Sequence, residues 1–396
     1  MKPNLYSIVN GKILTPRRCI PNGSVQVENG VITGVHERSF CAPGSTEIDA
    51  GGHYIAPGFI DIHVHGGGGA DFMDAIDEAF RTVAATHLRH GTTAMTPTTL
   101  TAGKDELAET LTVCQRAMAG NTGGVRFLGM HLEGPYFALN QRGAQDPRFI
   151  RNPDPEEYQS LIDRFSGVLS RWSAAPELPG ALDFARYAVS KGILISLAHT
   201  DALYDDIVNG FDHGYTLATH LYSAMNGVTR RGTFRYAGAV EAAFLIPEMD
   251  VEIIADGIHL PPPLLQLVYK MKGPDRIALV TDAMRGAGLP EGTSILGSLR
   301  HGISVIVEDG VAKMPDRSGF AGSVATMDRL VRTMVHQANI PLIDAVKMAS
   351  STPARIMGAT QLGTLVEGKR ADIVLFDDDI QIKLVMVDGQ VLIDTL

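Results

Sequence analysis

Cysteine is scarce. The three residues present in 396, Cys19, Cys41 and Cys114, are odd in number and outside any C-x-x-C spacing. That excludes a disulfide scaffold and a thiolate metal site, and it points to a reduced, cytoplasmic protein. Basic charge is also short, with 34 Lys and Arg against 44 Asp and Glu and a net charge of −10. Nucleic acid and anionic membranes, which both reward a basic surface, are thereby excluded as main partners. No run of about 18 apolar residues marks a membrane span. The opening MKPNLYSIVNGKILTPRR lacks the apolar core and small-residue cleavage site of a signal peptide. Internal repeats and low-complexity tracts are missing too. What remains, 45% hydrophobic and 20% charged, is the composition of a globular chain. Its length predicts one large domain and one smaller.

Residues 1–57 read as short strands (LYSIV, KILT, SVQVE, VITGV) broken by Asn10-Gly11 and Asn29-Gly30, the dipeptides that favour hairpins. Residues 359–396 match them in character, with ADIVLF, a DDD turn, IKLVMV, Asp388-Gly389 and QVLIDTL. The two ends are expected to pair into one small β-sandwich domain. The middle, 58–358, alternates strand-like and helix-like segments, the pattern of parallel β/α architecture. Eight strand candidates centre near residues 62, 95, 130, 173, 196, 218, 255 and 280, separated by helical stretches such as DEAFRTVAATHLRHG. The predicted fold is a (β/α)8 barrel, whose active site belongs at the C-terminal ends of its strands.

Six of those ends carry metal-binding or acid–base residues: His63 and His65, then Glu133, His199, His220, His259 and Asp282. In FIDIHVHGGGG the strand period of two puts Asp61, His63 and His65 on one face, with the imidazoles where a glycine loop begins. His131 lies two residues before Glu133 on the same face and is assigned a supporting role. Seven other histidines, at 36, 53, 87, 90, 213, 301 and 336, do not cluster. Ligand counting gives one compact site. His63, His65 and Asp282 would hold one ion, His199 and His220 a second, with Glu133 between them. Nitrogen and oxygen ligands without sulfur suit one or two divalent ions of Zn, Fe, Mn or Co. Such an ion with an open position brings the pKa of a bound water toward neutrality, so hydrolysis is the expected reaction class.

Taken in order, PGFIDIHVHGGGG, HLEGPY, LAHTDA, THLYSAMNG, ADGIHL, LVTDAM, AGSVATM and STPARIMG resemble the amidohydrolase superfamily, and within it the amino-sugar-phosphate deacetylases. The resemblance implies removal of the acetyl group from N-acetyl-D-glucosamine 6-phosphate, or from its galactosamine epimer or another N-acyl substrate. It makes Glu133, His199 and His220 the principal metal ligands, Asp282 the proton shuttle and His259 the group that polarises the carbonyl. His63 and His65 would mark the branch that takes a second ion. Ala144, Gln145, Ser223, Ala224, Phe320, Ala321 and Gly322 match segments lining the sugar pocket. Arg231, in TRRGTFRYAG, matches a phosphate-contacting arginine that serves across a subunit interface, so a homodimer is expected. This chain departs from the pattern at two substrate-facing positions, with Gln145 where many members have His and Ser223 where many have Asn.

Overall fold

The computed structural model describes residues 5–120 and 124–396. Eight parallel strands form the central barrel: β1 (Phe59–Val64), β2 (Thr92–Pro97), β3 (Met130–Glu133), β4 (Leu169–Ala174), β5 (Leu194–Leu197), β6 (Tyr215–Ala218), β7 (Asp250–Ile253) and β8 (Ile277–Leu279). All eight fall where the periodicity places them. Strands β3 to β8 pair in sequence, β1 pairs with β2, and a bridge between Thr98 and His131 joins β2 to β3. The ring closes between β8 and β1 through the bonds Asp282 N–H to His63 O (2.9 Å) and His65 N–H to Ala283 O (2.9 Å). Metal-type residues on the first and last strands are thereby brought side by side.

Burial follows the expected logic: β1 and β2 are buried along their whole length. Helices such as Asp77–Leu88 and Lys104–Ala119 bury one stripe against the strands and leave their charges outside. The largest interior side chain, Trp172 on β4, stacks on Tyr136 at 5.4 Å and donates its Nε1–H to Gly134 O at 2.8 Å. It therefore pins the loop directly after Glu133. Truncating such a residue to alanine typically costs about 3–5 kcal/mol.

A second sheet unites the chain ends. Its strand order is Gln390–Asp394, Ile382–Val387, Ile373–Phe376, Tyr54–Pro57, Leu5–Leu14, Cys19–Glu28 and Val31–His36, with Thr46–Asp49 pairing beside Leu5–Leu14. The first of the two expected Asn-Gly turns is absent. Leu5–Leu14 is one continuous strand in which Asn10 (φ 57°) and Gly11 form a register-shifting bulge. A Cβ at Gly11 would sit 2.4 Å from Ile55, so the glycine admits a close neighbouring strand rather than a reversal. Asn29-Gly30 and Asp388-Gly389 do turn hairpins. A three-stranded sheet, Gly292–Leu296, Ile303–Glu308 and Val311–Lys313, follows β8 and was not foreseen. It overhangs the C-terminal mouth of the barrel, where Leu296 and Ile303 reach the cavity described next.

Candidate active site

At that mouth lies a cavity of about 730 Å³, floored by His65, Glu133, His199, His220 and Asp282. Its size is that of a small-molecule site. Three of the floor residues, His199 (φ 47°), His220 (φ 30°) and Asp282 (φ 47°), have left-handed backbone just past β5, β6 and β8. Outside glycine this conformation costs on the order of 1–3 kcal/mol and gathers at functional sites.

The side chains converge on two carboxylates. Glu133 Oε1 lies 3.0 Å from His220 Nε2 and 3.4 Å from the Nε2 atoms of His199 and His63. Its Oε2 lies 3.4 Å from His65 Nε2 and accepts from Gln145 Nε2 at 2.7 Å. Asp282 Oδ1 lies 3.1 Å from His65 Nε2 and 3.6 Å from His63 Nε2. The Nε2 atoms of His63 and His65 are themselves 3.2 Å apart. Among the described residues, His63 with His65 and Glu133, and Glu133 with His199 and His220, form groups whose ligand atoms lie within 4.8 Å of one another. His199 Nε2 is buried without a hydrogen-bond partner. Buried imidazoles crowding lone pairs around two carboxylates fit a divalent cation, and the donor set is the one that Zn, Fe, Mn or Co accept.

Charge is balanced to match. Burial pushes the Glu133 carboxyl up, but His63, His199 and His220 outweigh it and hold the group well below its ordinary range. Asp282 follows the same pattern, burial opposed by His63 and His65, with the result below its ordinary value. On β1, Asp61 accepts from Thr281 Oγ1 at 2.5 Å, tying β1 to the segment that presents Asp282. Burial raises that carboxyl to about 7.

Several supporting groups were not foreseen. Asp256 accepts from His259 Nδ1 at 2.7 Å and from the backbone N–H groups of Ile258 and His259 at 2.8 Å, turning Nε2 to the cavity. The Asp-x-x-His spacing in ADGIHL was the available signal. Gln141 offers its backbone carbonyl to His199 Nδ1 at 2.7 Å, which no side chain announces. Glu177, in the β4 loop to which no chemistry was assigned, accepts from Thr200 Oγ1 at 2.6 Å and braces the turn after His199. His131 is buried beneath, 2.5 Å from Ser173 Oγ, in its expected supporting place. His87, read as unclustered, holds the glycine loop through Gly66 O at 2.9 Å.

Of the expected sugar-pocket residues, Ala144, Gln145, Ser223, Ala224, His259, Phe320 and Gly322 line the cavity. Phe320 packs on His259 with centroids 4.7 Å apart. Ala321 is fully buried behind them. His63 lies under the floor and is also fully buried. Arg231 is not brought to this cavity; it stands on an exposed hairpin of Thr229–Arg231 and Phe234–Tyr236.

Barrel, convergent histidines and carboxylates define a site that could hold a divalent ion, and residues 54–392 match the amidohydrolase family of hydrolases, to which the chain belongs. Its relatives are more particular. It is 34% identical to the N-acetylglucosamine-6-phosphate deacetylase of Vibrio furnissii over 93% of this chain and 90% of that one. It is 32% identical to the N-acetylgalactosamine-6-phosphate deacetylase of Escherichia coli O157:H7, over 96% and 97%. The N-acetyl-D-glucosamine-6-phosphate deacetylase of Mycobacterium smegmatis, solved as a mutant in complex with N-acetyl-D-glucosamine-6-phosphate, superposes with a TM-score of 0.89 at 30% identity. That match covers 99% of this chain and all of the other.

Proposed function

We propose that this chain hydrolyses the acetamide of N-acetyl-D-glucosamine 6-phosphate, giving D-glucosamine 6-phosphate and acetate. The observation that carries the reading is the convergence of four histidine Nε2 atoms on Glu133 and Asp282 at the floor of a sugar-sized cavity. Glu133, His199 and His220 would hold the principal divalent ion. His63 and His65, with Glu133 and Asp282, would hold a second. A divalent ion so held supplies a Lewis acid and an acidified water. The chain's own residues do the rest. Asp282 takes a proton from the attacking water and passes it to the sugar nitrogen as the C–N bond breaks. His259, fixed by Asp256, faces the carbonyl oxygen as negative charge gathers there. Ala144, Ser223, Ala224, Phe320 and Gly322 enclose the sugar, and Gln145 steadies Glu133 from beside it.

Residues 58–358 form the catalytic unit in this reading, supported by the small β domain of 1–57 and 359–396. The hairpin carrying Arg231 also exposes Phe234, at 71% of its surface. In this reading the working form is a homodimer in which that hairpin meets a second copy and Arg231 serves its neighbour's phosphate. Free Cys19, Cys41 and Cys114 fit the reducing cytoplasm, and among the described residues no helix is long and apolar enough to cross a membrane.

Gln145 and Ser223, which line the cavity at the two positions that depart from the family pattern, leave one competing reading, the galactosamine epimer. Acetate release from the two N-acetylhexosamine 6-phosphates, with Asp282→Asn as control, tests both. Faster turnover of the glucosamine form is expected. Reversed preference would transfer the assignment to the epimer, and turnover of neither would sink it.

A further inference from the structure

The interior of a (β/α)8 barrel is ordinarily filled by branched apolar side chains. Beneath this site it is not. Arg171 on β4 and Glu252 on β7 face each other there with no exposed surface. Arg171 Nη1 donates to Glu252 Oε1 and, at 3.0 Å, to Ile62 O. Its remaining N–H groups go to Ser196 Oγ (Nε at 3.2 Å, Nη2 at 3.1 Å) and to Thr219 Oγ1 (2.9 Å). Among the described residues, the second carboxylate oxygen, Glu252 Oε2, meets one side chain, His63, through Nδ1 at 3.3 Å.

A buried ion pair is seldom a net source of stability compared with apolar residues of the same volume. Its placement under one histidine offers a different rationale. A carboxylate held ionised by an arginine can only accept, so His63 keeps a proton on Nδ1. Nε2 is then the ring atom that faces Glu133, His65 and Asp282 and is left to ligate an ion. Of the four histidines proposed as ligands, no other has a carboxylate behind its Nδ1. The Nδ1 atoms of His65 and His220 are buried without a hydrogen-bond partner, and that of His199 meets a backbone carbonyl.

We infer that Glu252, locked by Arg171, is a positioning residue that fixes the tautomer of His63 and thereby makes the β1 histidine pair competent to take the second divalent ion. The inference rests on the proposed metal-dependent reading. It adds that occupancy of the two positions is separable from below the site. Glu252→Gln is the informative variant. Its single amide oxygen is drawn to the Arg171 guanidinium, so its NH2 faces His63 Nδ1. The imidazole proton is then forced onto Nε2, where it blocks metal.

The test has two arms. In the first, metal-free wild type with 15N-labelled histidine is compared by long-range 1H–15N NMR with Glu252→Gln, His63→Ala assigning the signal. His63 is expected to carry a proton on Nδ1 in wild type, whether or not Nε2 is also protonated, and to have a bare Nδ1 with the proton on Nε2 in the variant. An Nε2–H tautomer in wild type overturns the inference even if the variant does not fold. In the second, Zn²⁺ is titrated into both proteins by calorimetry. Wild type should bind two equivalents. Glu252→Gln should keep the first affinity and lose ten- to a hundred-fold on the second, the usual effect of removing a partner behind a metal-bound histidine. Two ions bound to both proteins with equal affinities would overturn the inference while leaving the metal-dependent reading intact. Wild type binding no ion would overturn both, and wild type binding only one would remove the second ion and the inference with it.

Discussion

Asp282 Oδ1 lies 3.1 Å from His65 Nε2, one residue leaving the last barrel strand and the other leaving the first. Closure of the ring creates this contact, and it sets the carboxylate at the edge of the metal-binding group with its face to the cavity. Asp282→Asn preserves shape and removes the proton acceptor. Positioned general acid–base groups contribute roughly 10²–10⁴-fold, so kcat should fall by that factor. Metal analysis should still find the ion held by Glu133, His199 and His220. Loss of all metal from the variant would make Asp282 a structural ligand instead of a shuttle.

Gln145 makes a different kind of contact. Its Oε1 accepts from Thr101 N–H at 2.8 Å, which orients Nε2 toward Glu133 Oε2. The resemblance casts this residue as a substrate contact, whereas the geometry makes it a clamp on Glu133, the proposed ligand. Gln145→Leu leaves the buried Thr101 N–H unpartnered and removes the shortest hydrogen bond to Glu133 Oε2. Affinity for the principal ion, measured by chelator competition, should drop about 10–100-fold. A raised KM with unchanged metal affinity would return Gln145 to the substrate-contact role.

What the sequence revealed and concealed divides along physical lines. Strand ends were legible because His63, Glu133, His199, His220 and Asp282 interrupt apolar runs just where glycine or turn residues follow. Arg171 and Glu252 were not, because in SRWSA and VEII a charged residue inside an alternating strand reads as a solvent-facing position. Only the closed ring shows that this face is the barrel's interior. Asn10-Gly11 was misread as a turn because left-handed backbone serves bulges as well as hairpins. The overhanging sheet of 292–313 has the short alternating runs of any hairpin, and nothing local to it says which part of the barrel it covers.

Arg231 tests the assembly. It does not line the cavity at the barrel mouth, and its guanidinium sits 5.4 Å from the ring centre of Tyr236 on the same hairpin. If it grips phosphate in a neighbouring subunit, Arg231→Ala should raise KM for the sugar phosphate about 10–100-fold with kcat little changed. Turnover of unphosphorylated N-acetylglucosamine should be unaffected. Mixing Arg231→Ala with Asp282→Asn should then restore activity at low substrate concentration, because one site of each mixed dimer is intact. Absence of that complementation, in mixtures shown to exchange subunits, would place the phosphate contact within one chain.

His87 gives the fold an acid-sensitive point that is not itself one of the proposed ligands. It is fully buried on the helix Asp77–Leu88, bonded through Nε2 to Gly66 O, with no hydrogen-bond partner for Nδ1. Burial pushes its pKa down from 6.5 to about 4. A depressed folded value means that the unfolded chain binds the proton more readily. The stability contributed by the neutral ring is therefore complete above about pH 6.5 and lost as pH falls toward 4, an effect of at most about 3 kcal/mol. His87→Gln keeps a donor for Gly66 O and cannot titrate. Urea unfolding of the metal-free protein at pH 7 and pH 4.5 should show wild type losing about 2 kcal/mol more than the variant. Working without metal matters, since protonation of the ligand histidines would otherwise release ions across the same range. Equal losses in the two proteins would mean that the loop tolerates a charged His87 by admitting water.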